Sequence, residues 1–452
     1  MEGYDLIVVG GGPGGYEAAL EASRKGMKTA LIDAGGLGGT CLWRGCIPTK
    51  ILLHTALLAQ EAARGGEIGI TAPGLRVDME RLSRYKDATV EKLAGGIETL
   101  LKKQKVDLYR GFAQVEGPGR VLVTGQDPLH LRGGNILLAV GSSPARLPVE
   151  GMESEGVLDS DGLLKAPRAF DSLIIVGGGV IGMEFACLYA ALGCRVTVLE
   201  ALDGVLANLD RELGQNLKMI LKKQGVQVHT SARLQAVEKT GEGLVCRYWE
   251  KEKEERAEAQ AVLTAVGRRP NTQGLFAPGA APAMEKGRVL VDQDFRTDRP
   301  GLWAIGDVTG GMQLAHMATA QGLNAVARML GQEPPMRVDV VPSCVYTSPE
   351  IASVGLTAEA AKQEGIEVAV KKYTMGGNGK TVLTRQERSF LKVVLAADTG
   401  RIVGAQMMCG RATDMIGEFG SAIVNGLCLS QLAGVIRPHP TFNEAVWELA
   451  RQ

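Results

Sequence analysis

Tyr4-Asp5-Leu6-Ile7-Val8-Val9-Gly10-Gly11-Gly12-Pro13-Gly14-Gly15, then a helical stretch and Lys28-Thr29-Ala30-Leu31-Ile32-Asp33, reads as a buried strand, a Gly-x-Gly-x-x-Gly turn, a helix and a second strand ending in an acid. The same order returns at Ser172-Leu173-Ile174-Ile175-Val176-Gly177-Gly178-Gly179-Val180-Ile181-Gly182, followed by Arg195-Val196-Thr197-Val198-Leu199-Glu200. In both copies the carboxylate falls 18 residues after the third glycine. One such glycine pattern can be a chance turn. Two copies, each in full strand–turn–helix–strand–acid context, point to a duplicated dinucleotide-binding unit. In each unit the first glycine (Gly10, Gly177) makes the turn. The second (Gly12, Gly179) lets backbone approach a pyrophosphate, and the third (Gly15, Gly182) lets helix and strand pack. The helix N-terminus offers N–H groups to phosphate. Asp33 and Glu200 then accept hydrogen bonds from ribose hydroxyls. Glu200 would repel a 2′-phosphate, and no arginine follows it until Arg211, which favours NAD over NADP.

Just after the first unit stands Gly38-Gly39-Thr40-Cys41-Leu42-Trp43-Arg44-Gly45-Cys46-Ile47-Pro48-Thr49-Lys50. A continuous helix would hold residues five apart at about 8–9 Å between Cα atoms, beyond the roughly 4.4–6.8 Å a disulfide tolerates. If Cys41 and Cys46 pair, the backbone is distorted between them, and Gly45 is the residue that permits it. Pro48 suits the first turn of a following helix. A thiolate at that helix start would be stabilised by unpaired N–H groups. The plainer reading is two small buried thiols that never meet.

The chain has 452 residues, room for two to four domains. Lys+Arg and Asp+Glu balance at 50 each, so no global charge favours nucleic acid or an anionic membrane. Aromatic content of 4% argues against a sugar-binding or base-stacking surface. The other six cysteines show neither metal-ligand pairing nor a disulfide framework. No apolar run reaches the roughly 20 residues of a membrane span, and the opening residues run straight into a strand without a leader pattern. A cytoplasmic protein is expected.

Residues 79–105 read as a charged helix, 106–140 as short strands around turns and 225–266 as further strands. The charge run at 250–258 reads as a solvated loop or hairpin tip. Pro334-Pro335 marks a linker. Beyond it, strands (Phe390–Ala396, Ile402–Met408) alternate with helical stretches (Ala358–Glu364, Ala412–Asn425), as expected of a separate α+β domain.

A further strand ends in Ala304-Ile305-Gly306-Asp307, where the aspartate is placed to accept from a polyol hydroxyl. Together with the two glycine turns, the 38–50 segment, Ala265-Val266-Gly267-Arg268-Arg269-Pro270-Asn271 and His439-Pro440-Thr441-Phe442-Asn443-Glu444, it makes the chain resemble the two-dinucleotide-domain flavoprotein disulfide reductases. Within them it is most similar to the dihydrolipoamide dehydrogenases, over essentially all its length. The resemblance implies an α/β fold: two Rossmann-like dinucleotide-binding domains, for FAD (1–145 and 275–335) and for NAD (146–274), plus a C-terminal α+β dimerisation domain (336–452). It implies a Cys41–Cys46 redox disulfide, with Cys46 facing the flavin and Cys41 exchanging with substrate. Lys50 lies near the flavin and pairs with Glu184. FAD is held by Gly10, Gly12, Gly15, Asp33, Thr40, Lys50, Ala113, Gly141, Asp307 and the segment Gln313, Leu314, Ala315, His316. NAD is held by Gly177, Gly179, Gly182, Glu200 and Gly267.

His439 and Glu444 resemble the family's acid/base pair. Imidazole titrates in the working range and a carboxylate on its other nitrogen orients it. In the family this pair comes from the other subunit, which implies a homodimer with a shared active site. The implied activity oxidises a dihydrolipoyl dithiol, free or on a lipoyl-bearing carrier protein, and reduces NAD⁺. The alternatives are an NAD(P)H-dependent reductase of another small disulfide such as glutathione disulfide, or a redox-inactive nucleotide-binding interaction protein. Three departures stand out: Trp43-Arg44 for Asn-Val, Arg437-Pro438 for His-Ala and Val140 for Thr. The first two would be expected to alter the substrate channel.

Overall fold

The computed structural model describes residues 3–125, 128–165, 167–241 and 243–452; Met1 and Glu2, the start of the expected 1–145 segment, lie outside the described residues. Strand Gly3–Val9 pairs in parallel with Thr29–Asp33 on one side and Leu129–Leu138 on the other. Leu6 and Val8 are fully buried under helices, and Ile7 on the opposite face is fully buried among Val115, Val121 and Val123. Asp107–Arg110 extends the sheet at one edge, and Arg120–Thr124 with Phe112–Gly117 form an antiparallel flank at the other. The strand Leu302–Ala304 returns from far along the chain to pair with Leu129–Leu138, which carries Asp307 to the same sheet end as the first glycine turn. Helix Pro13–Arg24 packs against helix Ala315–Met329.

The second glycine unit builds its own parallel sheet in the order Gln227–Thr230, Arg195–Glu200, Ser172–Val176, Ala261–Thr264, Val157–Asp159. A three-stranded antiparallel sheet (Ala232–Lys239, Leu244–Glu250, Lys253–Ala259) lies beside it. The charge run expected as a loop or hairpin tip is a tip at Lys251 and Glu252; Glu250 ends the middle strand and residues 253–258 lie in the edge strand. The charges keep that edge solvated, so a polar run and a strand coincide.

The C-terminal region forms a five-stranded antiparallel sheet, with Ile402–Cys409 at its centre between Glu350–Gly355 and Phe390–Ala396. Helix Ala412–Val424 covers one face. One apolar core joins the three regions. Leu52 and Leu53 behind the cysteines, Met183 and Phe185 of helix Val180–Ala191, and Val345 and Ile351 of the C-terminal sheet pack together. That core fixes the distances within the site.

Candidate functional site

The two cysteines sit on either side of a helix break. A short helix, Gly39–Arg44, carries Cys41, and a second, Cys46–Ala63, begins at Cys46. Gly45 stands between them at φ −146° and ψ −114°, and a Cβ there would lie 2.9 Å from the Thr40 carbonyl oxygen. The glycine expected to permit a distortion is therefore required by the close approach of backbone. The thiols meet: Cys41 and Cys46 share a hydrogen bond in the dithiol form.

That contact splits their acidities. Cys46 is brought down to about 7, first by the hydrogen bond from Cys41 and then by the Lys50 cation, against the opposing effect of burial. Cys41 is pushed up by the same hydrogen bond and by burial. Of the pair, Cys46 is the thiolate near neutral pH.

Lys50 Nζ lies 3.0 and 2.8 Å from the two carboxylate oxygens of Glu184. Glu184 is buried on helix Val180–Ala191 and also accepts from the Tyr346 backbone N–H at 3.0 Å. The Lys50 ammonium rests over the Tyr346 ring, 4.5 Å from its centroid. A cation thus stands one helical turn after Cys46, held by a carboxylate from the second unit and a ring from the C-terminal sheet.

These groups border one cleft of about 2450 Å³. Gly10, Gly12, Asp33, Thr40, Ala113, Gly141, Asp307 and Gln313 to His316 line it, as do Gly177, Gly179, Glu200 and Gly267. Gly15 and Gly182 do not. Their Cβ positions would fall 1.8 Å from the Gly10 carbonyl oxygen and 1.9 Å from that of Gly177, so they serve packing. A Cβ on Gly12 or Gly179 would meet no protein atom within 4 Å, and both helices begin without a side-chain cap. Two open cradles with free N–H groups are what two pyrophosphates require, and the residues present fit two dinucleotides.

Each acid is also held by its own turn. Asp33 accepts from Gly11 N–H at 3.0 Å and Gly36 N–H at 2.7 Å. Glu200 accepts from Gly178 N–H and, at 2.7 Å, from Leu202 N–H. Asp307 accepts from Ser142 Oγ, which in turn accepts from Arg268 Nε at 2.8 Å.

His439 Nδ1 lies 2.8 Å from Glu444 Oε1. The Glu444 carboxyl is drawn below its usual range, first by the Thr441 N–H and then by His439. Among the described residues, the cleft wall includes neither of them, and the His439 side chain is 77% exposed.

A family model described as pyridine nucleotide-disulphide oxidoreductase matches residues 4–322, and the dimerisation domain of the same family matches 341–450. The chain belongs to the pyridine nucleotide-disulphide oxidoreductase family. It is 36% identical to a dihydrolipoyl dehydrogenase of Bacillus subtilis, over 99% of this chain and 97% of that one. It is 36% identical to dihydrolipoyl dehydrogenase 3 of Pseudomonas aeruginosa, over 100% and 98%. Among solved structures, LpdA of Mycobacterium tuberculosis superposes with a TM-score of 0.91 at 27% identity, covering 99% of both chains. The HOCl-induced flavoprotein disulfide reductase RclA of Escherichia coli superposes at 0.88 and 28% identity, covering 100% of this chain and 99% of that one.

For a member of this oxidoreductase family, the departures divide: Arg44 and Val140 border the cleft, whereas Trp43, Arg437 and Pro438 do not. The Trp43 ring packs on Gly36 and donates to the Leu37 carbonyl at 2.9 Å, on the Asp33 side of the cleft. Arg44 faces Asp161 at 3.8 Å. Arg437 is turned into the fold against Glu418 at 2.7 Å. Val140 borders the cleft and its carbonyl accepts from Asn271 Nδ2 at 3.0 Å. Sequence reasoning missed Tyr346, Ser142 and Arg233. Tyr346 and Arg233 reach the cleft wall through strands distant in sequence, and the aromatic beside the Ser343–Val345 strand was the one signal available for Tyr346.

Proposed function

We propose that the chain is a dihydrolipoyl dehydrogenase, oxidising a dihydrolipoyl dithiol through Cys41 and Cys46 and passing the electrons by way of FAD to NAD⁺. The observation that carries it is the Cys41–Cys46 pair with Lys50–Glu184 beside it, in one cleft with both glycine cradles. FAD, when bound, accepts an electron pair from a dithiol and gives it up as hydride to a nicotinamide.

The protein's own groups do the rest. His439 takes a proton from the incoming dithiol, and Glu444 orients its ring from the other nitrogen. The substrate thiolate attacks the oxidised Cys41 sulfur and Cys46 leaves; its lowered pKa makes it the better leaving thiol. A second attack, by the other substrate thiol, closes the cyclic disulfide and frees Cys41. Lys50 holds positive charge next to Cys46, where negative charge gathers. Gly10, Gly12 and Asp33, with Asp307, hold FAD, and Gly177, Gly179 and Glu200 hold NAD. The division into 1–145 with 275–335, 146–274 and 336–452 is supported by a separate sheet of five or more strands in each part. His439 and Glu444 act in a partner subunit's cleft, so the working unit is a homodimer.

Purified protein should be yellow, be reduced by NADH in preference to NADPH, and turn over dihydrolipoamide, and Cys46→Ser should abolish dithiol turnover. Faster turnover with glutathione disulfide and NADPH would replace this reading with a second one, an NAD(P)H-dependent disulfide reductase. Arg233 favours that alternative: it borders the cleft two residues after Ser231, whose N–H donates to the Leu202 carbonyl at 2.7 Å.

A further inference from the structure

We propose that Arg437 is a positioning residue that fixes the His439–Glu444 pair by clamping its loop to helix Ala412–Val424. The inference rests on reading that pair as the acid/base of the proposed function. Arg437 is no channel residue: its side chain is 5% exposed. Its guanidinium forks onto Glu418, at 2.7 Å to Oε1 and 3.1 Å to Oε2, and donates to the Leu432 carbonyl at 3.2 Å. A planar fork on a carboxylate fixes direction as well as distance, which a lysine ammonium does not do.

The clamp continues to the helix that bears Glu444. Asn443 precedes helix Glu444–Arg451 and makes no side-chain cap to it, although asparagine is among the preferred capping residues. Its amide instead donates to Glu418 Oε2 at 2.9 Å and accepts from Arg437. Residues on both flanks of His439 are thereby tied to one carboxylate. Asn378 Nδ2 adds a bond to the Thr441 carbonyl at 3.0 Å, and Thr441 N–H donates to Glu444 Oε2 at 2.8 Å. Within its own subunit the His439 side chain is mostly exposed, so its placement there depends on Glu444 and this frame.

Arg437 Nε is buried without a hydrogen-bond partner among the described residues. Leaving a donor unpaired is unfavourable. It persists here because the fork to Glu418 and Asn443 sets where the guanidinium sits.

The test uses the full-length FAD-loaded protein with Arg437→Lys, and Asn443→Ala as a second variant should the first not fold. Reduction of the flavin by NADH and by dihydrolipoamide is followed separately. The dithiol half-reaction is expected to slow on the order of tenfold to a hundredfold, the usual penalty for a small misplacement of a reacting group, while the NADH half-reaction stays within about twofold. The ring nitrogens of five histidines are few enough to resolve by NMR. His439 should lose its single Nδ1-protonated form while the ring signals of His54, His130, His229 and His316 stay unchanged. Wild-type dithiol reactivity in both variants, or equal slowing of both half-reactions with a lowered melting temperature, would overturn the inference. If His439→Gln leaves the dithiol half-reaction intact, the acid/base reading itself fails, and the inference falls with it.

Discussion

At the scale of single residues, the chemistry depends on one charge held where the sequence alone shows only a lysine after a proline. Lys50 is half-buried, paired to Glu184 and set over Tyr346, and it lowers the pKa of Cys46. Lys50→Met should therefore raise the Cys46 pKa above about 7. The sign follows from a cation stabilising a thiolate, so at neutral pH the variant carries less thiolate. In the reduced wild-type protein, alkylation at Cys46 should climb between about pH 6 and 8 and then level, whereas an ordinary thiol, titrating near 8.5, is still climbing. In the variant the whole curve moves to higher pH; an unmoved midpoint would rule out the Lys50 contribution. The same substitution strands a buried carboxylate. With Lys50 partly solvated, the loss of stability should fall toward the lower end of about 3–5 kcal/mol, measured by thermal unfolding.

At the scale of elements, the glycines of each turn divide into two classes that look identical in sequence. Gly182 carries a packing contact, since a Cβ would stand 1.9 Å from the Gly177 carbonyl oxygen. Gly179 faces open space in the cleft at the start of an uncapped helix. Gly182→Ala should destabilise the fold by about 1–3 kcal/mol through overpacking. Gly179→Ala should leave stability within about 1 kcal/mol yet weaken NADH binding on the order of tenfold or more. Calorimetric titration beside a melting curve separates the two, and equal stability losses would show that Gly179 is not a phosphate cradle. The redox loop shows the complementary case: its two short helices exist because Gly45 lets the chain pass the Thr40 carbonyl.

Across the whole molecule, the units are held in register by charge as well as by the shared core. Asp210, which caps helix Arg211–Lys223 through the Glu212 N–H at 2.9 Å, pairs with Lys392 of the C-terminal sheet at 2.9 Å. Glu212 pairs with Lys392 at 2.9 Å and with Lys372. Asn208 and Leu209, just before that cap, line the cleft. Lys392→Met leaves Asp210 buried without its cation and should cost about 3–5 kcal/mol. Hydrogen exchange should speed up in residues 203–223; unchanged exchange there would make the pair incidental. The proposed shared-site dimer has its own arithmetic. Cys46→Ser and His439→Gln proteins are each expected to be inactive, but unfolding and refolding them together gives heterodimers with one intact site, and about a quarter of wild-type activity returns if the site is shared across a two-fold axis. No recovery would place the pair within one subunit.

Both glycine units, both acids and the Cys41–Cys46 spacing were legible in the sequence, because each is a local requirement of turn geometry, helix start or strand burial that neighbouring residues must meet. The Lys50–Glu184 pair was legible only through resemblance, since no local rule joins residues 134 apart. The contacts of Trp43, Arg44 and Arg437 were not legible in advance. Their direction is set by what surrounds them: Gly36 under the Trp43 ring, Asp161 beside Arg44 and Glu418 under the Arg437 fork. The sequence by itself determined two nucleotide units, a redox pair and a third domain. Which thiol is acidic, which glycines face the cleft and what holds His439 came only with the tertiary structure, because burial, charge and close approach exist only once distant segments share one core.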